Sequence, residues 1–243
     1  NNPASLSSSY INDIEFDNKG MMWIGTMNGG LNVYNPYRQV FYLYEGIPEL
    51  KESAVNDLLF YEDYIYVATA KSGIVRINTS NNQLYDVYNV KTNKFPSDKI
   101  SCMSLVNGNL WIGTEGQGLV ILDPKKESWT HISSNMGNVG LSDNTINCIQ
   151  EFGENQIFIG TNDGINVAST KEAFPQFSKL QLKYNKQVLK LSSVLSLLPE
   201  NDSTIWIGTN GEGLFKVIFD KALKVKHDLT EPFLKKGNTK DAF

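Results

Sequence analysis

The sequence predicts an all-β fold, a β-propeller segment built of five four-stranded antiparallel blades. Two observations carry that prediction. The phrase Trp111-Ile112-Gly113-Thr114 recurs as Trp23-Ile24-Gly25-Thr26, Tyr66-Val67-Ala68-Thr69, Phe158-Ile159-Gly160-Thr161 and Trp206-Ile207-Gly208-Thr209, at steps of 43, 45, 47 and 48 residues, the spacing of a blade array. Each copy is followed within a few residues by Gly plus Leu or Ile, a link too short to join anything but antiparallel neighbours.

The innermost strand of each unit, strand A, opens on an apolar residue and repeats it three places later: Ile11 and Ile14, Val55 and Leu58, Ile100 and Met103, Ile146 and Ile149, Val194 and Leu197. Turn chemistry follows, as in Asp17-Asn18-Lys19-Gly20, Asn107-Gly108 and Asn201-Asp202. Strand B is the repeated phrase; its aromatic and β-branched residues fill both faces, as a sheet packed between two others requires. The third position is Gly four times and Ala once, so it demands small size rather than an unusual backbone angle, and the aromatic of the next unit is expected to pack over it. Strand C begins after Gly30, Gly73, Gly118, Gly164 and Gly213. Strand D is more polar, as an outer strand with a solvated edge should be: Val40 to Tyr44, Leu84 to Tyr88, Trp129 to Ile132, Leu180 to Tyr184 and Leu223 to His227. The blades span approximately 6–45, 52–90, 97–133, 141–184 and 190–229, with 230–243 a junction to a further repeat. Asn238 to Phe243 echoes Asn2 to Leu6, the phase expected of a segment from a longer array. Five units could close alone, form an open arc, or self-associate through apolar terminal faces.

At 243 residues, 41% hydrophobic and 11% aromatic, the chain can bury a large core as one domain. Its net charge is −4 and only Arg38 and Arg76 among 22 basic residues are arginine, which argues against nucleic acid as a partner. No apolar run approaches the roughly 18 residues of a membrane span, and the first residues lack the pattern of a signal peptide; no direct membrane contact is expected. Cys102 and Cys148 occupy equivalent places in adjacent units, about 10 Å apart by sheet packing and beyond disulfide reach, so two small buried thiols are expected.

Units reading Leu-Ser-x-x-x-Ile-x-x-Ile, then Gly-x-x-Trp-Ile-Gly-Thr, then Gly-Leu-x-x-x-Asn/Asp-Pro resemble the two-component regulator propeller repeat. Leu6-Ser7, Gly20 to Thr26 and Gly30 to Pro36 carry the resemblance in the first unit; Leu141 to Asn144 and Trp111 to Pro124 carry it in the middle. The resemblance implies the periplasmic ligand-sensing segment of a hybrid two-component sensor of Bacteroidetes, recognising glycan-derived oligosaccharides to control polysaccharide utilisation genes. The implied parent carries a histidine kinase, and the implied partners are an oligosaccharide, adjacent blades and a β-sandwich.

The residues themselves offer no catalytic constellation, metal site or cofactor motif. Gly-Thr-Asn-Gly-Glu-Gly from Gly208 and its counterpart from Gly113 superficially suggest a phosphate loop, but they join two strands and carry Glu. His131 and His227 are isolated, and Asp13 and Asp57 give way to Cys102, Cys148 and Ser196 in later units. Ligand specificity is expected where B–C loops and D-to-A junctions share a face and the repeats diverge. The candidates are Tyr10, Asn28, Lys71, Glu115, Gln117, Asn162, Asp163, Asn210 and Glu212. A non-enzymatic sensor, a scaffold or dimerisation module, and a propeller lyase or hydrolase are the readings the sequence leaves, in that order.

Overall fold

The computed structural model describes residues 5–51, 53–81, 85–137, 140–172, 175–184 and 187–220. The chain divides into two compact units, residues 1–131 and 132–243. In the first unit, β1 (Ile11–Phe16), β2 (Met22–Thr26), β3 (Leu31–Asn35) and β4 (Val40–Leu43) form one antiparallel meander. The next comprises β5 (Val55–Tyr61), β6 (Tyr64–Thr69), β7 (Ile74–Asn78) and β8 (Tyr85–Tyr88). A short helix α1 (Val90–Asn93), N-capped by Asn89, leads to β9 (Ile100–Val106), β10 (Asn109–Thr114), β11 (Leu119–Asp123) and β12 (Ser128–Ile132).

In the second unit, β13 (Ile146–Phe152), β14 (Gln156–Thr161) and β15 (Gly164–Ser169) are completed by β16 (Ser178–Lys179). This corrects the expected outer strand over Leu180 to Tyr184. Only two residues pair with β15, because residues from Leu182 turn away into a separate hairpin of β17 (Leu182–Tyr184) and β18 (Gln187–Leu189). The last sheet is β19 (Val194–Asn201), β20 (Thr204–Thr209) and β21 (Leu214–Ile218). The expected fourth strand at Leu223 to His227 and the junction 230–243 lie outside the described residues.

The repeated phrase builds the core because its faces alternate. Its aromatic residue packs on the following blade: Trp23 clusters with Val55 and Leu58, Tyr66 with Ile100 and Met103, and Phe158 with Val194 and Leu197. Its second residue packs on the preceding blade, as Val67, Ile112 and Ile207 do. Beside Trp23, Asp17 accepts the indole N–H at 3.0 Å and caps the A–B turn through Lys19 and Met21.

The small third position is explained by what approaches it. A Cβ built on Gly25 would lie 2.6 Å from Cγ1 of Val55, and one on Gly160 would run into Sγ of Cys148 in its own blade and lie 2.9 Å from Cγ1 of Val194. So the covering groups are the first residue of the next strand A and, on Gly160 and Gly208, the strand-A Cys148 and Ser196 of the same blade, not the next aromatic. A β-branched side chain is short enough to seat there while the strand backbones stay in register.

Strand A carries a second regularity. Its pairing with strand B skips one residue, between Ile11 and Asp13, Val55 and Asp57, Ile146 and Cys148, and Val194 and Ser196, the signature of a β-bulge. The bulge residue is freed to bridge blades: Asn12 Nδ2 donates to Val55 O at 2.9 Å and Asn56 Nδ2 to Ile100 O at 2.7 Å. The next residue completes the bridge, with Leu58 N donating to Asp13 at 2.8 Å and Met103 N to Asp57 at 2.5 Å. Neither Cys102 nor Cys148 is in a disulfide, and both are half-buried rather than fully enclosed. The Cys148 thiol is directed at Val194 O (4.0 Å) and burial pushes it up to about 12.

Candidate functional site

The loop after strand B is the most regular polar structure in the chain. Its threonine accepts and donates at once: Thr26, Thr69, Thr114 and Thr209 Oγ1 donate to the carbonyl of the loop-closing glycine at 2.7–2.8 Å, and Thr161 does so at 3.0 Å. The oxygens of Thr26, Thr69, Thr114 and Thr161 also accept, from Gly29, Ser72, Gln117 and Asp163 N–H in turn. The closing glycines Gly30, Gly73, Gly118, Gly164 and Gly213 have φ between 69° and 102°, the left-handed region closed to most side chains.

These loops are tied to the D-to-A junctions in every blade. The residue after the threonine donates its N–H to the residue just before strand A: Met27 to Tyr10, Ala70 to Ala54, Glu115 to Lys99, Asn162 to Thr145 and Asn210 to Ser193, at 2.8–3.3 Å. One end of each sheet therefore presents a rigid loop and a junction side by side, with variable side chains on both. This arrangement suits recognition, since the frame is fixed before a ligand arrives.

The predicted site residues fall into three groups. Asn162, Asp163 and Glu212 each make side-chain contacts in the second unit, Asn162 with Asn147 and Ser193, Glu212 with Ser192 and Asp163 with Lys179. Asn162 Oδ1 accepts from Asn147 Nδ2 at 3.1 Å and from Ser193 Oγ at 2.9 Å, and Asn147 also reaches Ser193 at 3.2 Å. Ser192 Oγ donates to Glu212 Oε1, while Glu212 Oε2 is buried without a partner among the described residues. Asp163 pairs with Lys179 at 2.6 Å. Asn210 is an exposed loop neighbour.

Asn28 belongs to a second place, a cavity of about 470 Å³ in the first unit lined by Ser7, Gly29, Tyr44, Glu45 and Lys51 among others. Ser7 is held there by Gly29 O (2.8 Å) and Asn32 (2.6 Å). Burial pushes the Tyr44 hydroxyl up to about 12. Tyr10, 65% exposed at its junction, and the exposed loop residues Lys71, Glu115 and Gln117 lie outside either group; Gln117 contributes its carbonyl to His131 Nε2 at 2.5 Å. His227 lies outside the described residues. Ser193, Asn147, Ser7 and Tyr44 were not singled out by sequence reasoning. Ser193 was findable, because it holds the same phase as Tyr10, immediately before strand A.

The carboxylates of strand A are structural. Asp57 is enclosed between blades, accepts Met103 and Leu58 N–H and lies against Asp13; burial first, then that neighbouring carboxylate, pushes its pKa well above the usual carboxylate range despite the backbone donors. Glu15, on β1 with Asp13, is raised chiefly by burial. A second buried charge, Arg76, forks onto Asp86 (2.6 Å) and Glu127 (2.8 Å) across two blades, with its guanidinium 5.0 Å from the Tyr64 ring centroid and 5.7 Å from that of Tyr88. Among the described residues no cluster of His, Cys, Asp and Glu could hold a metal ion, and no helix is long and apolar enough to cross a membrane.

Residues 5–28 match the family model described as two component regulator propeller. No curated protein matches the chain. Among solved structures, two of the extracellular domain of BT4673 from Bacteroides thetaiotaomicron, described in one as a one component and in the other as a hybrid two component system, share 25% and 24% identity. They cover 90% and 95% of this chain and 27% and 29% of their own, with TM-scores of 0.71 and 0.74. The extracellular domain of the BT3049 hybrid two component system from the same organism covers 92% of this chain and 30% of its own, at 19% identity and TM-score 0.70. The chain thus spans less than a third of these relatives.

Proposed function

We propose that this chain, which carries the two component regulator propeller repeat and folds as the blades of Bacteroides two component ectodomains do, is part of the periplasmic ligand-sensing region of a hybrid two-component sensor histidine kinase. Its ligand in this reading is a glycan-derived oligosaccharide, and its output the control of polysaccharide utilisation genes. The observation that carries the reading is the second unit's loop cluster. Amide and hydroxyl groups of Asn147, Asn162 and Ser193 are already ordered there, and Glu212 keeps a buried carboxylate oxygen with no donor among the described residues. A sugar hydroxyl supplies the missing donor and can exchange hydrogen bonds with the others.

Calorimetric titration of the chain with a panel of neutral oligosaccharides tests this. One member is expected to bind, and Glu212→Ala and Asn162→Ala are each expected to weaken it about tenfold or more, since a hydrogen bond to a charged group is worth about 1.5–3 kcal/mol. Failure of every glycan to bind favours the scaffold reading; glycan turnover would favour an enzyme.

A further inference from the structure

Three asparagines are followed by glycine, in Asn28-Gly29, Asn107-Gly108 and Asn210-Gly211. In such a pair the glycine nitrogen can attack Cγ of the asparagine side chain. A new C–N bond forms, the bond to the side-chain amide nitrogen breaks, and ammonia leaves with the proton that the glycine nitrogen gives up. Water then opens the succinimide ring at either carbonyl, leaving aspartate or isoaspartate in place of asparagine. Glycine favours the step because no Cβ shields its nitrogen and its backbone turns freely. The step needs a glycine N–H that is not held elsewhere and a loop with room to move, and the three sites differ in both.

Two of the pairs are restrained. Gly29 N–H donates to the buried Thr26 Oγ1 at 3.0 Å, its carbonyl accepts from Ser7 Oγ at 2.8 Å, and a Cβ on it would run into Ser7. Asn107 and Gly108 are the central residues of the hairpin between β9 and β10, at φ 50° and 77°, closed by the pair Val106 and Asn109. That two-residue turn holds both backbones in the left-handed region. Closing the ring there requires Asn107 to rotate out of its backbone angle against the register of both strands.

Asn210-Gly211 has neither restraint. Asn210 N–H is tied to Ser193 O and Thr209 Oγ1 to Gly213 O, both at 2.8 Å, but between these anchors the loop is loose. Thr209 Oγ1 accepts no loop N–H among the described residues, unlike the threonine of each other blade. Gly211 stands at φ 110° with no atom within 4 Å of where a Cβ would lie, and its N–H has no acceptor among the described residues. Its exposure belongs to this position of the blade: Lys71, the counterpart in the second blade, is exposed although β1 and β9 both pack on β5. We propose that Asn210 converts spontaneously to isoaspartate and aspartate in the folded chain, ahead of Asn28 and Asn107. The product sets a negative charge two residues before Glu212 and, as isoaspartate, lengthens the backbone of a loop anchored to Ser193. The inference stands whether or not that loop binds a glycan.

Peptide mapping by mass spectrometry of the folded chain, aged at mildly alkaline pH, tests this, with the same chain held in urea as the comparison and isoaspartate counted by isoaspartyl methyltransferase labelling. In the folded chain the change from amide to acid is expected chiefly in the peptide that carries Asn210. Asn28 and Asn107 should convert at least about fivefold more slowly, a factor of the size that one net hydrogen bond imposes. In urea the three rates should converge, since each site is then an unrestrained Asn-Gly pair. Asn28 or Asn107 converting as fast as Asn210 in the folded chain, or Asn210 keeping its amide there while it converts in urea, would overturn the proposal. So would a preference for Asn210 that is equally large in urea, which would place the selectivity in the neighbouring residues rather than in the fold.

Discussion

A threonine at the end of strand B holds its loop with one oxygen that both donates and accepts. In the third blade, Thr114 Oγ1 reaches Gly118 O at 2.7 Å and takes Gln117 N–H at 3.1 Å, with the side chain fully buried. Valine has the same shape but neither function, so Thr114→Val leaves a buried carbonyl without this donor and an N–H without its acceptor. The expected cost is about 1–3 kcal/mol, read as a lower urea midpoint at unchanged slope. Thr114→Ser keeps the hydroxyl and should lose less. At the other end of the loop, Gly118 sits at φ 88°; Gly118→Ala is expected to cost about 1–2 kcal/mol in the same measurement, because a Cβ opposes that backbone angle. Both residues were plain in the sequence as fixed members of the repeat. Their physical roles were not, since a hydrogen bond to a carbonyl four residues on leaves no mark in composition.

Between elements, strand A works as a latch, and its carboxylates make it sensitive to pH. Asp57 has a folded pKa raised above its unfolded value, chiefly by burial. Its stabilising contribution is therefore complete below the ordinary aspartate value of about 4 and is lost as pH rises toward the raised folded value. Asp57→Asn retains an acceptor for Met103 N–H and cannot ionise, so its urea midpoint should fall less than that of the unsubstituted chain over the same rise in pH. An identical pH slope for both proteins would assign the sensitivity elsewhere. Arg76 fixes the second and third sheets from the outer side. Arg76→Lys keeps the charge but not the planar fork that spans Asp86 and Glu127 or the stack on Tyr64 and Tyr88; a cost of about 1–3 kcal/mol in the same unfolding experiment is expected. The phase of the repeat located the strands well because every unit carries the phrase at strand B. It misplaced the outer strand of the fourth blade, where pairing depends on where the chain leaves the sheet edge rather than on any residue pattern. It also gave the wrong partner for the strand-B glycine, since the valine that fills it is 30 or more residues away and looks like any other core residue.

For the molecule as a whole, the sequence picked out the variable loop residues but not which of them share hydrogen bonds. Asn162 and Glu212 were visible as variable loop residues, whereas Asn147 and Ser193 join Asn162 only through the bulge and the junction, which bring residues 15 to 46 positions apart into one hydrogen-bonded cluster. The charge of that cluster bears on the class of glycan it can take. The chain carries 26 acidic and 22 basic residues for a net charge of −4. Glu212 is bonded to Ser192, next in sequence to Ser193 of that cluster, and Lys179 is committed to Asp163. A sulfated or uronic acid-rich glycan would bring like charge to a buried carboxylate, which opposes binding. Neutral oligosaccharides are therefore expected to bind more tightly than polyanionic ones of equal length, with an affinity that changes little between low and high salt, since no counterions are released from the ligand. Titrating matched neutral and sulfated oligosaccharides at two ionic strengths measures both quantities. Preferential, salt-sensitive binding of the sulfated ligand would move the site away from Glu212 and toward a basic surface such as the cavity beside Lys51.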